Sequence, residues 1–174
     1  MSLSATITAG LTVNQTGTPI LTSQQTLVNN INKTLTTTFS NGNAAANLID
    51  TVYAKSGTFT ASTAITVRPV TAGALTDSFG NTVNMLHLKC LYFANLAPAT
   101  TETNNSVTIG GGTNPITTIL PSTSTIVVPA GGSILLTAPG AVGYLLTSGS
   151  ADTLTFTPGT GTPGYEMILL GASA

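Results

Sequence analysis

The side chains best suited to chemistry are few. His87 is the single histidine and Cys90 the single cysteine, separated by Leu88 and Lys89. A zinc site built from nitrogen and sulfur ligands needs more of them than one of each, and a Cys-His pair needs both on one side of the backbone. On a regular strand, positions three apart point to opposite faces, so His87 reads as a solvated or interface histidine and Cys90 as a small buried thiol. A Ser-His-Asp triad can be assembled on paper from the many serines with Asp50, Asp77 or Asp152. No Gly-x-Ser-x-Gly elbow is present to raise a serine nucleophile. The five acids, Asp50, Asp77, Glu102, Asp152 and Glu166, lie far apart in sequence. A glycosidase pair is brought together by the fold, so spacing alone does not forbid one. Local context favours turn closure instead: Asp77 sits in Leu75-Thr76-Asp77-Ser78-Phe79-Gly80 and Asp152 follows Gly149-Ser150-Ala151, where a short carboxylate accepts backbone N–H bonds. Calcium wants several oxygen ligands together, and these acids do not cluster as a calcium loop would.

Gly159-Thr160-Gly161-Thr162-Pro163-Gly164 spells the dinucleotide fingerprint, which works only between a strand and a helix N-terminus that receives the pyrophosphate. Pro163 interrupts it, and Tyr165–Leu170 alternates as a strand, so the segment reads as a turn. A sugar-binding surface would rest on Tyr53, Tyr92, Tyr144 or Tyr165, in a chain with 5% aromatic residues and no tryptophan. Asn14-Gln15-Thr16, Asn32-Lys33-Thr34 and Asn104-Asn105-Ser106 match the glycosylation sequon, as a Thr- and Asn-rich composition supplies without selection. Lys33, Lys55, Arg68 and Lys89 are scattered, whereas phosphate neutralisation needs clustered cations, so nucleic acid is excluded as a partner. No catalytic, cofactor-binding or metal-ligating residue emerges, and the chain is expected not to be an enzyme.

The elements around these residues read almost entirely as strands. Leu3, Ala5, Ile7, Ala9, Leu11 and Val13 alternate with mostly Ser and Thr, the signature of a half-buried strand or of an arm pairing with a neighbour. Leu27, Ile31 and Leu35 fall four apart after Thr22 and Ser23, a spacing that predicts a short helix over 23–32. Strand chemistry resumes at Leu35, Thr37 and Phe39 and stops at the turn residues Ser40-Asn41-Gly42-Asn43. Further strands are expected at Ile49–Lys55, Phe59–Val67, Val83–Asn95, Ser106–Ile109, Thr125–Val128, Ser133–Thr137, Gly143–Thr147, Asp152–Thr157 and Gly164–Leu170, separated by Gly- and Pro-rich turns. Within Val83–Asn95, alternation sets Leu86, Leu88, Cys90, Tyr92 and Ala94 on one face. Met85, His87, Lys89, Leu91 and Phe93 take the other, as in a central strand covered on both sides. The pattern predicts an all-β fold, an antiparallel β-sandwich of jelly-roll type, with residues 1–32 as an N-terminal arm or oligomerisation segment and 33–174 as the sandwich domain.

Charge is the outlying property. Of 174 residues, 5% are charged, with net charge −1, against about 25% in an average globular protein. So little repulsion leaves copies free to associate, and assembly is the natural use of such a surface. A hydrophobic content of 41% and mean hydropathy of +0.37 argue for a folded chain over a disordered one. One cysteine excludes an intrachain disulfide framework. No basic segment followed by an apolar one opens the chain, and no run of about 18 apolar residues occurs. A soluble product made in the cytosol, with no membrane partner, is the expectation.

The order Leu75-Thr76-Asp77-Ser78-Phe79-Gly80-Asn81, a long strand to Asn95, Val128-Pro129-Ala130-Gly131-Gly132-Ser133, Thr137-Ala138-Pro139-Gly140, Gly149-Ser150-Ala151-Asp152-Thr153-Leu154 and a closing Tyr165-Glu166-Met167-Ile168-Leu169-Leu170-Gly171 resembles a group of small virion proteins of tailed bacteriophages. The resemblance spans about residues 33–174 and is carried by turns and strands. It implies a structural component of the particle, assembled in the bacterial cytoplasm: a capsid decoration or cement subunit that forms a homo-oligomer, a trimer by analogy, and binds the major capsid protein or other virion proteins. The alternatives are a tail, fibre or adaptor component, or a host-glycan-binding sandwich.

Overall fold

The computed structural model describes residues 3–17, 27–70, 75–121 and 123–174. Among the described residues the chain forms β1 (Ala5–Gly17), β2 (Leu27–Asn41), β3 (Leu48–Ile49), β4 (Thr51–Thr58), β5 (Ile65–Val67), β6 (His87–Asn95), a one-turn helix α1 (Glu102–Asn105), β7 (Val107–Gly110), β8 (Thr125–Val128), β9 (Ser133–Thr137), β10 (Tyr144–Leu145), β11 (Leu154–Pro158) and β12 (Gly164–Ala172). One antiparallel sheet runs β10-β6-β12-β4, with β9 also on β6; a second runs β5-β11-β7-β8. They stack as a sandwich because inward residues of both are apolar: Tyr53, Leu91, Phe93, Met167 and Leu169 from the first meet Val67, Val107, Ile109, Val128 and Phe156 from the second in one buried cluster. Phe93 is its hub, with ring centroids 5.0 Å from Phe156 and 6.4 Å from Tyr165. Each such buried side chain contributes about 1.5–3 kcal/mol.

The segment expected as one strand over Phe59–Val67 is instead a corner between the sheets. Phe59 enters the core at 2% exposure, and its N–H donates to the Pro163 carbonyl. Thr60–Thr63 then closes a turn with Ser62 at φ 54°, and only Ile65–Val67 pairs, in the opposite sheet from β4. The chain changes layer where alternation alone shows continuity.

The short helix expected over 23–32 does not form where it is described: residues 27–32 belong to β2, while 23–26 lie outside the described residues. β2 pairs with β1 along its length, from Ala5 opposite Phe39 to Gly17 opposite Leu27. It passes without a break through position 32/33, where the arm was expected to meet the sandwich. A spacing of four satisfies a period of two as well as one of 3.6, and pairing to β1 decides for the strand.

A bulge sets the phase of the central strand. Along β12 the partners of β6 shift between Leu170, opposite Cys90, and Gly171, opposite Leu88, leaving Lys89 as the extra residue. Leu88 therefore packs in the sandwich core while Cys90 lies on the outer face, which corrects the shared face expected for the two.

Candidate functional site

The outer face of the first sheet carries a second, smaller core. Phe39, Ile49, Cys90 and Leu170 are buried there, with Leu3, Ala5, Ile7, Val52 and Leu135 packed around them. The root of the β1–β2 hairpin is thus seated on the back of the sandwich, held by Phe39 at 0% exposure. Past Ile7 and Thr37 the ribbon is exposed on both faces, at Ala9–Val13 and at Ile31–Thr36. Beside the seat, a groove of about 400 Å³ opens between β1 and the sheet, lined chiefly by Ile7, Cys90, Tyr92, Leu135, Ile168 and Leu170. The lining is apolar, and burial pushes the Cys90 thiol up to about 11, so at neutral pH it is a packed thiol and not a nucleophile.

The bulge also returns His87 to the face that carries Cys90, where unbroken alternation separates them. The ring is committed elsewhere: His87 Nδ1 lies 2.7 Å from the Val142 carbonyl oxygen. A carbonyl only accepts, so Nδ1 carries the proton.

The acids are occupied with the backbone. Asp77 accepts from the Phe79 and Asn81 N–H groups at 2.8 Å and from Asn81 Nδ2 at 2.9 Å. The Asn81 side-chain bond, joined by these backbone bonds, holds its carboxyl below the ordinary range. Asp50 accepts from Thr51 Oγ1 at 2.8 Å, from the Ser173 N–H at 2.9 Å and from the Ser173 hydroxyl. Asp50 and Asp77 border the same cleft of about 300 Å³ with Leu3, Thr51, Asn81 and Thr82. Both carboxylates have their lone pairs engaged by hydrogen-bond donors. Asp152 Oδ2 accepts from the Gly149 N–H at 2.8 Å and its buried Oδ1 has no partner, so it closes the turn that its sequence context indicates. Glu166 is exposed on β12, and the Glu102 side chain lies outside the described residues. Among the described residues, no three His, Cys, Asp or Glu side chains gather as a metal centre requires.

Gly159–Gly164 joins β11 to β12 as a loop laid on α1. The N–H of Gly159 donates to Ser106 O and that of Gly161 to Asn104 O. A Cβ at Gly159 would stand 2.6 Å from the Asn104 carbonyl oxygen, so the glycine is there for close backbone approach. Tyr53 and Tyr165 are core residues with phenols raised by burial; Tyr144 packs against the same core. Tyr92 alone of the four lines the outer groove.

Lys89 is the residue that the sequence did not single out. It is fully buried, and its Nζ donates to the carbonyls of Gly140 and Ala141, tying the β9–β10 loop to the central strand. Burial lowers its pKa, and a neutral amine still has the two N–H bonds that the two carbonyls need. Gly143, at φ 58°, lets the loop close over it; a Cβ there would lie 2.6 Å from Leu88 O. No described helix is long and apolar enough to cross a membrane. Comparison with protein-family models, curated proteins and solved structures finds no match.

Proposed function

We propose that this chain is a structural subunit of a tailed-bacteriophage particle, a capsid decoration or cement protein that works by contact with copies of itself and with other virion proteins. The observation that carries the reading is the β1–β2 hairpin, anchored at its root and bare over Ala9–Val13 and Ile31–Thr36, with Leu11 at 59% and Leu35 at 63% exposure. Apolar side chains held in water on a ribbon cost free energy in an isolated subunit and are stabilised when a neighbour covers them. The charge-poor surface, net −1 over 174 residues, offers little repulsion against that contact. The sequence resemblance to small phage virion proteins supplies the particle as the setting. The functional groups outside the hairpin support the same reading: Asp77 closes a turn, His87 and Lys89 hold the β9–β10 loop, and Asp50 binds Ser173 after β12. Cryo-electron microscopy of the source particle tests the proposal. Density for this sandwich on the capsid exterior is the expected result. Density confined to the tail refutes the decoration role, and its absence from the particle refutes the whole reading.

A further inference from the structure

The hairpin is a two-faced ribbon. Its register places Ala5 opposite Phe39, Ile7 opposite Thr37, Ala9 opposite Leu35, Leu11 opposite Lys33 and Val13 opposite Ile31, and these pairs share one face. The other face carries Thr6 with Thr38, Thr8 with Thr36, Gly10 with Thr34 and Thr12 with Asn32. The first face is the one that seats Phe39 and Ile7 on the sheet. The same apolar stripe then continues into solvent through Leu35, Leu11, Ile31 and Val13. One charge interrupts it, Lys33. Beside the seat lies an apolar groove, walled on one side by Ala5–Thr8 of the chain's own β1 and on the other by Tyr92, Leu135, Ile168 and Leu170 of the outer sheet. Glu166, two residues from Ile168 on the same side of β12, borders the adjoining cleft with Ile168.

We infer that the bare part of the hairpin docks in the outer-sheet groove of a second copy of this chain, Leu11, Val13, Ile31 and Leu35 continuing the packing begun by Phe39, and Lys33 meeting Glu166. The inference deepens the proposed role and rests on it, naming the surface through which copies join. Two observations choose the occupant. The apolar stripe that seats the hairpin root runs on into solvent, and the one cation on the arm, Lys33, has an opposite charge available in Glu166, which together with Lys55 lines the cleft beside the groove. Area sets the form. From Ala9–Leu35 to Val13–Ile31 the exposed ribbon runs about 14 Å with a width near 10 Å, so this stretch hides about 300 Å² in all on docking, well short of what a stable interface needs. Each copy must therefore both give and receive an arm, as closed symmetry provides.

The test is light scattering after size exclusion on the full-length chain, with circular dichroism to show that each variant keeps its strands. The wild type is expected at a multiple of 17.4 kDa. Lys33→Glu and Glu166→Lys, both at exposed positions, each bring like charges together and should weaken association about tenfold or more. Combined, they reverse the pair and should restore it to within about threefold. Leu11→Asp and Leu35→Asp should leave a folded monomer. A wild-type oligomer indifferent to these changes overturns the docking and leaves the assembly role standing, as does Lys33→Glu strengthening association, which would make Lys33 a guard against strand addition. A wild-type monomer at every concentration removes both.

Discussion

Replacing Phe39 by alanine should lift the hairpin off the sandwich before the sandwich itself unfolds. Phe39 is the largest of the four buried side chains in the outer core, and truncating a buried phenylalanine costs about 3–5 kcal/mol. The outer core is small beside the inter-sheet cluster, so that loss falls mainly on the local opening of the seat, which lies at the low end of the range of opening free energies. Cys90 reports the event, since it is the single cysteine and lies in the seat with Phe39. In the wild type it is protected both by burial and by a thiol pushed up to about 11. At about 1.4 kcal/mol per factor of ten, the variant should label faster with a maleimide by on the order of 10²–10³ at pH 8. Intact-mass spectrometry over time gives the rate. Phe156→Ala is the control: it removes a comparable side chain from the main core, so it should lower the urea midpoint without accelerating native-state labelling to the same degree. If Phe39→Ala labels at the wild-type rate, or accelerates only in step with its loss of global stability, the hairpin is not a separately seated element.

Three further outcomes follow from the buried and bonded titratable groups. Because the Cys90 thiol is raised from 9.0 to about 11, its contribution to stability is complete below pH 9 and is lost as pH rises through 11. Cys90→Ala should flatten that alkaline decline in urea titrations between pH 9 and 11. Lys89, lowered from 10.5 by burial, acts in the opposite sense, with stability present above 10.5 and lost as pH falls through its folded value. Lys89→Met should abolish that gain and, by leaving the Gly140 and Ala141 carbonyls without their donor, should destabilise the fold by about 1–3 kcal/mol, measured at pH 7. Asp77, lowered below 3.8 chiefly by Asn81, supports its turn above the ordinary carboxylate range and releases it as pH falls through the depressed value. Hydrogen exchange at the Phe79 and Asn81 amides should accelerate in acid relative to neighbouring turns, and Asp77→Asn should show no such acid step.

Short strands bracketed by turn residues were legible in the sequence because alternation and Gly- or Pro-rich punctuation agree there: Thr125–Val128 and Ser133–Thr137 have the expected bounds, and Asp77 closes the turn its neighbours indicate. The remaining features were not legible, each because a long-range contact overrides a local pattern. Leu27, Ile31 and Leu35 fit two periods, and only the partner strand chooses between them. Phe59–Val67 looks continuous because both sheets demand alternation, and nothing local marks the layer change. The bulge at Lys89 exists through its pairing with Leu170 and Gly171; it moves Leu88 into the core and buries a lysine that composition counts among the surface cations. The arrangement of the outer groove was hidden for the same reason, since Tyr92, Leu135 and Ile168 come from three strands. The lack of charge was plain in the sequence, and the proposed action by contact rests on it.

Sedimentation velocity on the intact protein, from micromolar dilution upward at physiological salt, tests that mode of action most directly. The account predicts a closed assembly at a small multiple of 17.4 kDa, reached cooperatively and without larger aggregates. A single 17.4 kDa species across the whole range would contradict it.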